Sequence, residues 1–164
     1  MKKAWAWNFA DETASIATNS SITNPMSFVG VVNQTGLDGT HGVLMGKACD
    51  GTFTTNALDL HLDLLGEPDV EMTFWIADQI DESHVDDGLY FSDDGGNNFM
   101  KALDFFPDEW CDGIYGQHPP IDVDGIATEL GLELTNQFVI RFQQTGQSDF
   151  VGGSNNQDLS LIHI

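Results

Sequence analysis

The chain has 164 residues, 41% of them hydrophobic and including 11 Phe and 4 Trp, so it can bury one substantial core and reads most simply as one domain. It carries 26 acidic residues against 5 basic ones, a net charge of −21 that repels polyanions and excludes nucleic acid and anionic membranes as partners. The acidic excess fits cation binding, or a solvated surface suited to salty surroundings where screening weakens self-repulsion.

In chain order, Met1-Lys2-Lys3 has the charge of a signal-peptide start, but Ala4-Trp5-Ala6-Trp7-Asn8-Phe9 is too short and too alternating for the apolar stretch that should follow. An export signal would lie outside this chain. Trp5, Trp7 and Phe9 alternate with small or polar residues, as a half-buried strand requires. Further strands are predicted at residues 27–32 and 42–45. Leu58, Leu60, Leu62 and Leu64 then alternate with Asp59, His61 and Asp63. A period of two gives these leucines one buried face, whereas a helix would scatter them around a cylinder. The remaining strand candidates are 70–77, 88–92, 99–105 and 138–144, separated by Gly, Asn, Asp and Pro clusters. Residues 36–41 and 147–157 read as loops. One helix is predicted over 123–130, with Asp122 as N-cap and Gly131 as its stop. Roughly eight strands and one short helix make an all-β chain, sufficient for a two-sheet antiparallel β-sandwich. No apolar run reaches the roughly 18 residues of a membrane-spanning helix. Cys49 and Cys111 match no zinc or redox spacing, and they read as two free thiols or as one disulfide formed in an oxidising compartment.

The most informative stretch is Asp86-Asp87-Gly88-Leu89-Tyr90-Phe91-Ser92-Asp93-Asp94-Gly95-Gly96-Asn97-Asn98-Phe99, an apolar strand entering an acidic, glycine-rich turn. Ser92, Asp94, Gly96 and Phe99 fit the Asp-box pattern Ser-x-Asp-x-Gly-x-x-aromatic. The chemistry of that pattern is local. Asp94 can bond backbone N–H groups of its own turn, Gly95 and Gly96 can take positive φ, and Phe99 is expected to anchor the outgoing strand in a core. The pattern therefore marks a β-hairpin sooner than an active site. Sialidase-type propellers repeat it once per blade, and a single copy on a chain this short argues against a propeller.

Leu-Asp-Leu-His-Leu-Asp-Leu from Leu58, Thr73-Phe74-Trp75, Asp81-Glu82-Ser83-His84, the Asp86-to-Gly96 stretch, Asp122-Val123-Asp124 and Phe138-Val139-Ile140-Arg141-Phe142-Gln143-Gln144 follow one another in a recognisable order. In wording and order this run resembles jelly-roll modules of large secreted bacterial proteins, similar in design to MAM and reelin-repeat sandwiches. The resemblance implies a non-catalytic extracellular or cell-surface module, often calcium-bound, that is repeated or joined to proteases, glycosidases or adhesins. It also implies a calcium ion shared between Asp11 or Glu12, the turn containing Asp38, and a closing segment represented by Asp158. An ordinary polar turn is the alternative for Asp11 and Glu12. The expected partners are neighbouring domains of a larger polypeptide and a glycan or cell-surface protein. The end of the chain departs from the pattern: Leu159-Ser160-Leu161-Ile162-His163-Ile164 resembles a translated sequencing-adaptor read. On that reading the module spans 1–158, truncated at its closing strand, and 159–164 is a non-native tail. The alternative is a genuine strand, since the segment alternates well enough to pair.

Other groupings carry competing readings. Calcium requires six to eight oxygen ligands. An EF-hand starting at Asp122 fails, because Ile126 stands at the fifth position and Ala127 where the loop needs glycine. Asp81, Glu82, His84, Asp86 and Asp87 could hold a cation or supply the opposed carboxylates of a glycosidase, yet neighbours in sequence rarely face each other across a sugar. A solvated loop is the plainer reading. Trp110, Tyr115 and His118 lie in a polar, proline-containing stretch that could form a sugar platform, with Trp110 folded over the sandwich edge as the alternative. No Gly-x-Ser-x-Gly, His-Glu-x-x-His, Walker or Rossmann pattern occurs. The sequence thus points to a non-catalytic binding module with structural calcium, and the competing reading is a carbohydrate-active hydrolase using paired carboxylates.

Overall fold

The computed structural model describes residues 27–32, 42–47, 54–79, 83–105, 114–146 and 158–163. Within them every strand pairing is antiparallel. Strands β1 (Ser27–Val32), β2 (Gly42–Lys47), β5 (Trp75–Gln79), β8 (Gly116–Gln117) and β11 (Asp158–His163) form a five-stranded sheet in the order β1-β2-β11-β5-β8. A four-stranded sheet runs β3-β10-β6-β7, from Thr54–Leu62, Phe138–Gly146, Gly88–Ser92 and Met100–Asp104. The short strands β4 (Glu71–Met72) and β9 (Ile121–Asp122) pair with each other beside α1 (Val123–Leu130), the one helix among the described residues.

The period-2 leucines set the inner face of the four-stranded sheet. Leu58 and Leu60 of β3 stand opposite Phe142 and Ile140 of β10, which in turn stand opposite Leu89 and Phe91 of β6. All six are buried and join one apolar cluster with Val43, Met45 and Ile76 of the five-stranded sheet and with Val123 and Ala127 of α1. Phe74 is fully buried near its centre, edge-on to Phe142 at 5.0 Å and tilted against Phe105 at 6.0 Å. Burying each such ring stabilises the fold by about 1.5 to 3 kcal/mol.

Two irregularities in the strands place the candidate residues. The 70–77 segment predicted as one strand is two: β4 pairs with β9, while β5 pairs with β11 and β8. The chain changes partners between Met72 and Trp75, where Phe74 turns into the core, so one run of strand-forming residues serves two sheets. In the β6–β7 hairpin the register shifts between Leu89, opposite Leu103, and Tyr90, opposite Lys101. The extra residue, Ala102, forms a bulge that brings Lys101 onto the outer face beside Tyr90.

Helix α1 ends where its caps dictate. Asp122 accepts a hydrogen bond from the Gly125 N–H at 3.0 Å, and a Cβ on Gly125 would collide with that carboxylate. Gly131 adopts the left-handed conformation at φ 73°, and the N–H groups of Gly131 and Leu132 close onto the Thr128 and Ala127 carbonyls. Asp122 is thus a cap, and Asp124 accepts from the Val70 N–H at 2.8 Å. Among the described residues no helix is long and apolar enough to cross a membrane.

Candidate functional site

The acidic, glycine-rich turn from Ser92 to Phe99 follows β6. The Ser92 hydroxyl is buried, donates to Asp94 Oδ1 at 2.7 Å and accepts from the Gly96 N–H at 3.0 Å. Asp94 Oδ1 also accepts from the backbone N–H groups of Asn97 and Asn98, each at 3.0 Å, while Oδ2 accepts from Asn98 Nδ2 at 2.6 Å. Gly95 and Gly96 hold φ of 77° and 90°, which lets the turn fold tightly enough for one carboxylate to reach all four donors. Hydrogen bonds from Asn98 and Ser92 hold the Asp94 carboxyl down at about 2. A group so acidic is a poor proton donor, and its donors come from its own turn.

The turn is also fastened to its surroundings. Asp93 accepts from the Glu133 N–H through Oδ2 at 3.2 Å and from the Thr135 hydroxyl through its carbonyl at 2.8 Å, and Gly95 N–H donates to the Gln137 carbonyl at 3.1 Å. Phe99 departs from expectation. It is half-buried on the outer face of the sheet, under the Arg141 guanidinium at 3.8 Å from its ring centroid. The register explains this: Met100 stands opposite core-facing Phe91, so the residue before it falls on the other face. Arg141 is held in turn by buried Asp59, through Nε–Oδ1 at 2.6 Å and Nη2–Oδ2 at 2.8 Å.

The acidic cluster before β6 is not simply a solvated loop. Asp87 is 1% exposed; its Oδ1 accepts from the Thr145 N–H at 2.6 Å and its Oδ2 from the His84 N–H at 2.7 Å. Its backbone bonds His84 and Phe105 as well. Burial pushes its carboxyl up to about 6, against the lowering effect of those two amides. That value would suit a general acid, but the group is buried and both oxygens already accept backbone amides, so a sugar has no route to it. Asp86 is exposed, and its carbonyl accepts from Tyr90 Oη at 3.0 Å and Gln143 Nε2 at 2.9 Å. Lys101 Nζ donates to the Val85 carbonyl at 2.6 Å. The sequence signals the acidity of this loop but not its anchoring, which depends on β10 and β7. Asp81 and Glu82 lie outside the described residues.

Of the residues implied in calcium binding, Asp11, Glu12 and Asp38 lie outside the described residues, and Asp158 opens β11 opposite Lys47. Among the described residues no group of three or more His, Cys, Asp or Glu is arranged to hold a metal ion. The segment resembling an adaptor read is placed as β11, between β2 and β5. Cys49, Cys111 and Trp110 lie outside the described residues. Tyr115 is half-buried, and burial pushes its phenol up to about 12. His118 stacks on the Phe74 ring at 4.8 Å and 13°, and its Nδ1 lies 2.8 Å from the Pro119 carbonyl.

No family model and no curated protein sequence matches the chain.

Proposed function

We propose that this chain is a non-catalytic β-sandwich module of the jelly-roll kind, working outside the cell in adhesion or in glycan and substrate targeting as part of a larger secreted protein. Calcium is its structural ion, held by Asp11, Glu12, Asp38 and Asp158. One observation carries the reading: the carboxylates most suggestive of catalysis are engaged by the protein's own backbone, Asp94 by the amides of its turn and Asp87 by Thr145 and His84. A glycosidase instead needs two carboxyl groups facing each other across a sugar. The sandwich is supported by an apolar cluster that draws on both large sheets. The net charge of −21 favours calcium and uncharged ligands over anionic ones.

The test is to incubate the intact chain with neutral and acidic polysaccharides and with cell-surface protein extracts, measuring retention and the release of reducing ends together. Retention without sugar release, unchanged in Asp94→Ala below its melting point, is the expected result. Sugar release that disappears in Asp87→Asn or Asp94→Ala would overturn the reading in favour of a hydrolase.

A further inference from the structure

Among the described residues, β11 alone joins the two halves of the five-stranded sheet, the β1–β2 pair and the β5–β8 pair. It runs antiparallel to both neighbours, with residues 158–162 paired to β2 and residues 159–163 paired to β5. Neighbouring strands lie about 4.7 to 4.9 Å apart, so β2 and β5 stand about 9 to 10 Å from each other across β11. Each turns a row of main-chain N–H and C=O groups toward the same slot, one strand wide.

The lining defines what fits there. Position 162 lies opposite Val43 and Ile76, both members of the buried apolar cluster. Position 161 lies opposite Leu44 and Ala77, and Ala77 is fully buried although alternation puts it on the other face of the sheet from Ile76. The slot is thus walled by buried residues on both faces at its centre, which calls for two consecutive apolar residues in the strand that fills it. Leu161 and Ile162 supply them in residue type. Position 160, opposite buried Met45, carries Ser instead, so residue type does not follow the lining along the whole strand.

We propose that the β2–β5 slot is a strand-acceptor site whose ligand is an extended six-residue peptide, antiparallel to both edges and apolar at its fourth and fifth positions, with β11 as the occupant seated in this structure. Main-chain hydrogen bonds along two edges supply the affinity, and the two central positions supply the selectivity. On the reading of residues 159–164 as a non-native tail, a sequence never selected for this slot completes both ladders, as recognition through the main chain allows. The inference needs neither calcium nor a glycan and adds a peptide to the partners of the module.

The experiment uses the full chain carrying Leu161→Pro. Leu161 is paired on both sides, and proline lacks the N–H and is not accommodated in a central strand. Hydrogen exchange should show the β2 and β5 amides losing protection by about tenfold or more while those of β3, β10 and β6 keep theirs. A labelled peptide Asp-Leu-Ser-Leu-Ile-His should bind this variant, followed by fluorescence anisotropy, and restore the lost protection. An unrelated peptide, Thr-Val-Thr-Val-Val-Thr, should bind within about tenfold of it, and the first peptide with Ile162→Asp should bind at least about tenfold more weakly. If the variant does not fold alone, refolding it with and without the first peptide decides: folded chain recovered only with peptide supports the site, and no recovery overturns it. Failure of that peptide to bind, or to restore protection, would likewise overturn the site. Rescue by the first peptide and not by the Val/Thr peptide would overturn recognition through the main chain. A complex of the variant with wild-type chain, formed without peptide, would replace the peptide ligand by strand exchange between copies. Retention and sugar release are measured separately, so each of these failures is distinguishable from failure of the targeting role.

Discussion

Arg141 grips both carboxylate oxygens of Asp59, Nε at 2.6 Å and Nη2 at 2.8 Å, and so joins β3 to β10 across the outer face of the four-stranded sheet. Arg141 is the chain's single arginine, and its guanidinium also lies over Phe99 at 3.8 Å. A bidentate pair of this kind combines charge with fixed geometry. Asp59→Ala should cost about 2 kcal/mol, because it leaves a largely buried guanidinium without its partner. Arg141→Met preserves apolar cover over Phe99, and in combination with Asp59→Ala it should recover part of that loss. Urea unfolding of the two single variants and the double variant measures the coupling, and additive losses would show that the pair does not act as a unit.

The Ser92–Phe99 turn should behave as architecture. Asp94→Ala removes the acceptor shared by Ser92, Asn97 and Asn98, and the melting temperature should fall with any ligand binding unchanged. The pH dependence has a definite sign. The folded carboxyl titrates near 2, below its ordinary 3.8, so its stabilising contribution is present above about pH 4 and fades as pH falls toward 2. The difference in melting temperature between wild type and Asp94→Ala should therefore shrink on acidification. A constant difference over that range would disprove the hydrogen-bonded carboxylate.

Asp87 should show the opposite slope. Burial raises its folded carboxyl to about 6 from 3.8, so between those values the folded protein holds a proton that the unfolded chain has released. Stability linked to Asp87 is then greatest below about pH 4 and declines as pH rises through 6. Allowing for solvent screening, the decline is on the order of 1 to 2 kcal/mol. His84 and Lys101 face the same carboxyl and oppose its shift, so Asp87→Asn is the required reference. Wild type should lose ground against Asp87→Asn in urea unfolding between pH 4 and pH 7. A widening advantage for wild type would contradict a buried, proton-retaining Asp87.

Local rules carried much of this fold in the sequence. The Asp122 and Gly131 caps bound α1, and the leucines of β3 fall on the inner face because alternation and turn chemistry act over a few residues. Strand partners are not local. The division of residues 70–77 between β4 and β5 depends on β9, β8 and β11, and the Ala102 bulge depends on the fit of Lys101 beside Tyr90. The same limit applies to the sites. Ser92 and Asp94 were legible because their bonds stay within one turn, whereas buried Asp87 depends on Thr145, 58 residues away. His118 and Tyr115 look like partners in a polar stretch until pairing with β5 sends His118 to the Phe74 side.

The ends of α1 give a quantitative check on local design. Asp122→Ala removes the acceptor of the Gly125 N–H and should cost about 1 kcal/mol. Gly131→Ala forces a side chain onto a residue at φ 73° and should cost a similar 1 to 2 kcal/mol, roughly. The two caps share no partner, so their effects in urea unfolding should add. A loss from Asp122→Ala well above 2 kcal/mol would show that Asp122 does more than cap the helix.

Calcium should stabilise the protein more than magnesium does. With 26 acidic residues against 5 basic ones, any divalent cation will relieve some self-repulsion, so a rise in melting temperature with calcium alone is not diagnostic. A site shared by Asp11, Glu12, Asp38 and Asp158 would instead discriminate, because calcium accepts six to eight oxygen ligands in flexible geometry while magnesium demands a tighter octahedron. Calcium at about 100 times its dissociation constant should add roughly 2.7 kcal/mol if it binds only the folded state. Thermal scans in chelator, in calcium and in magnesium at matched ionic strength measure the difference. Asp38→Asn should abolish the calcium-specific part and leave the magnesium response in place. Equal stabilisation by the two ions, in wild type and variant alike, would reduce the effect to screening and remove the structural ion from the proposed module.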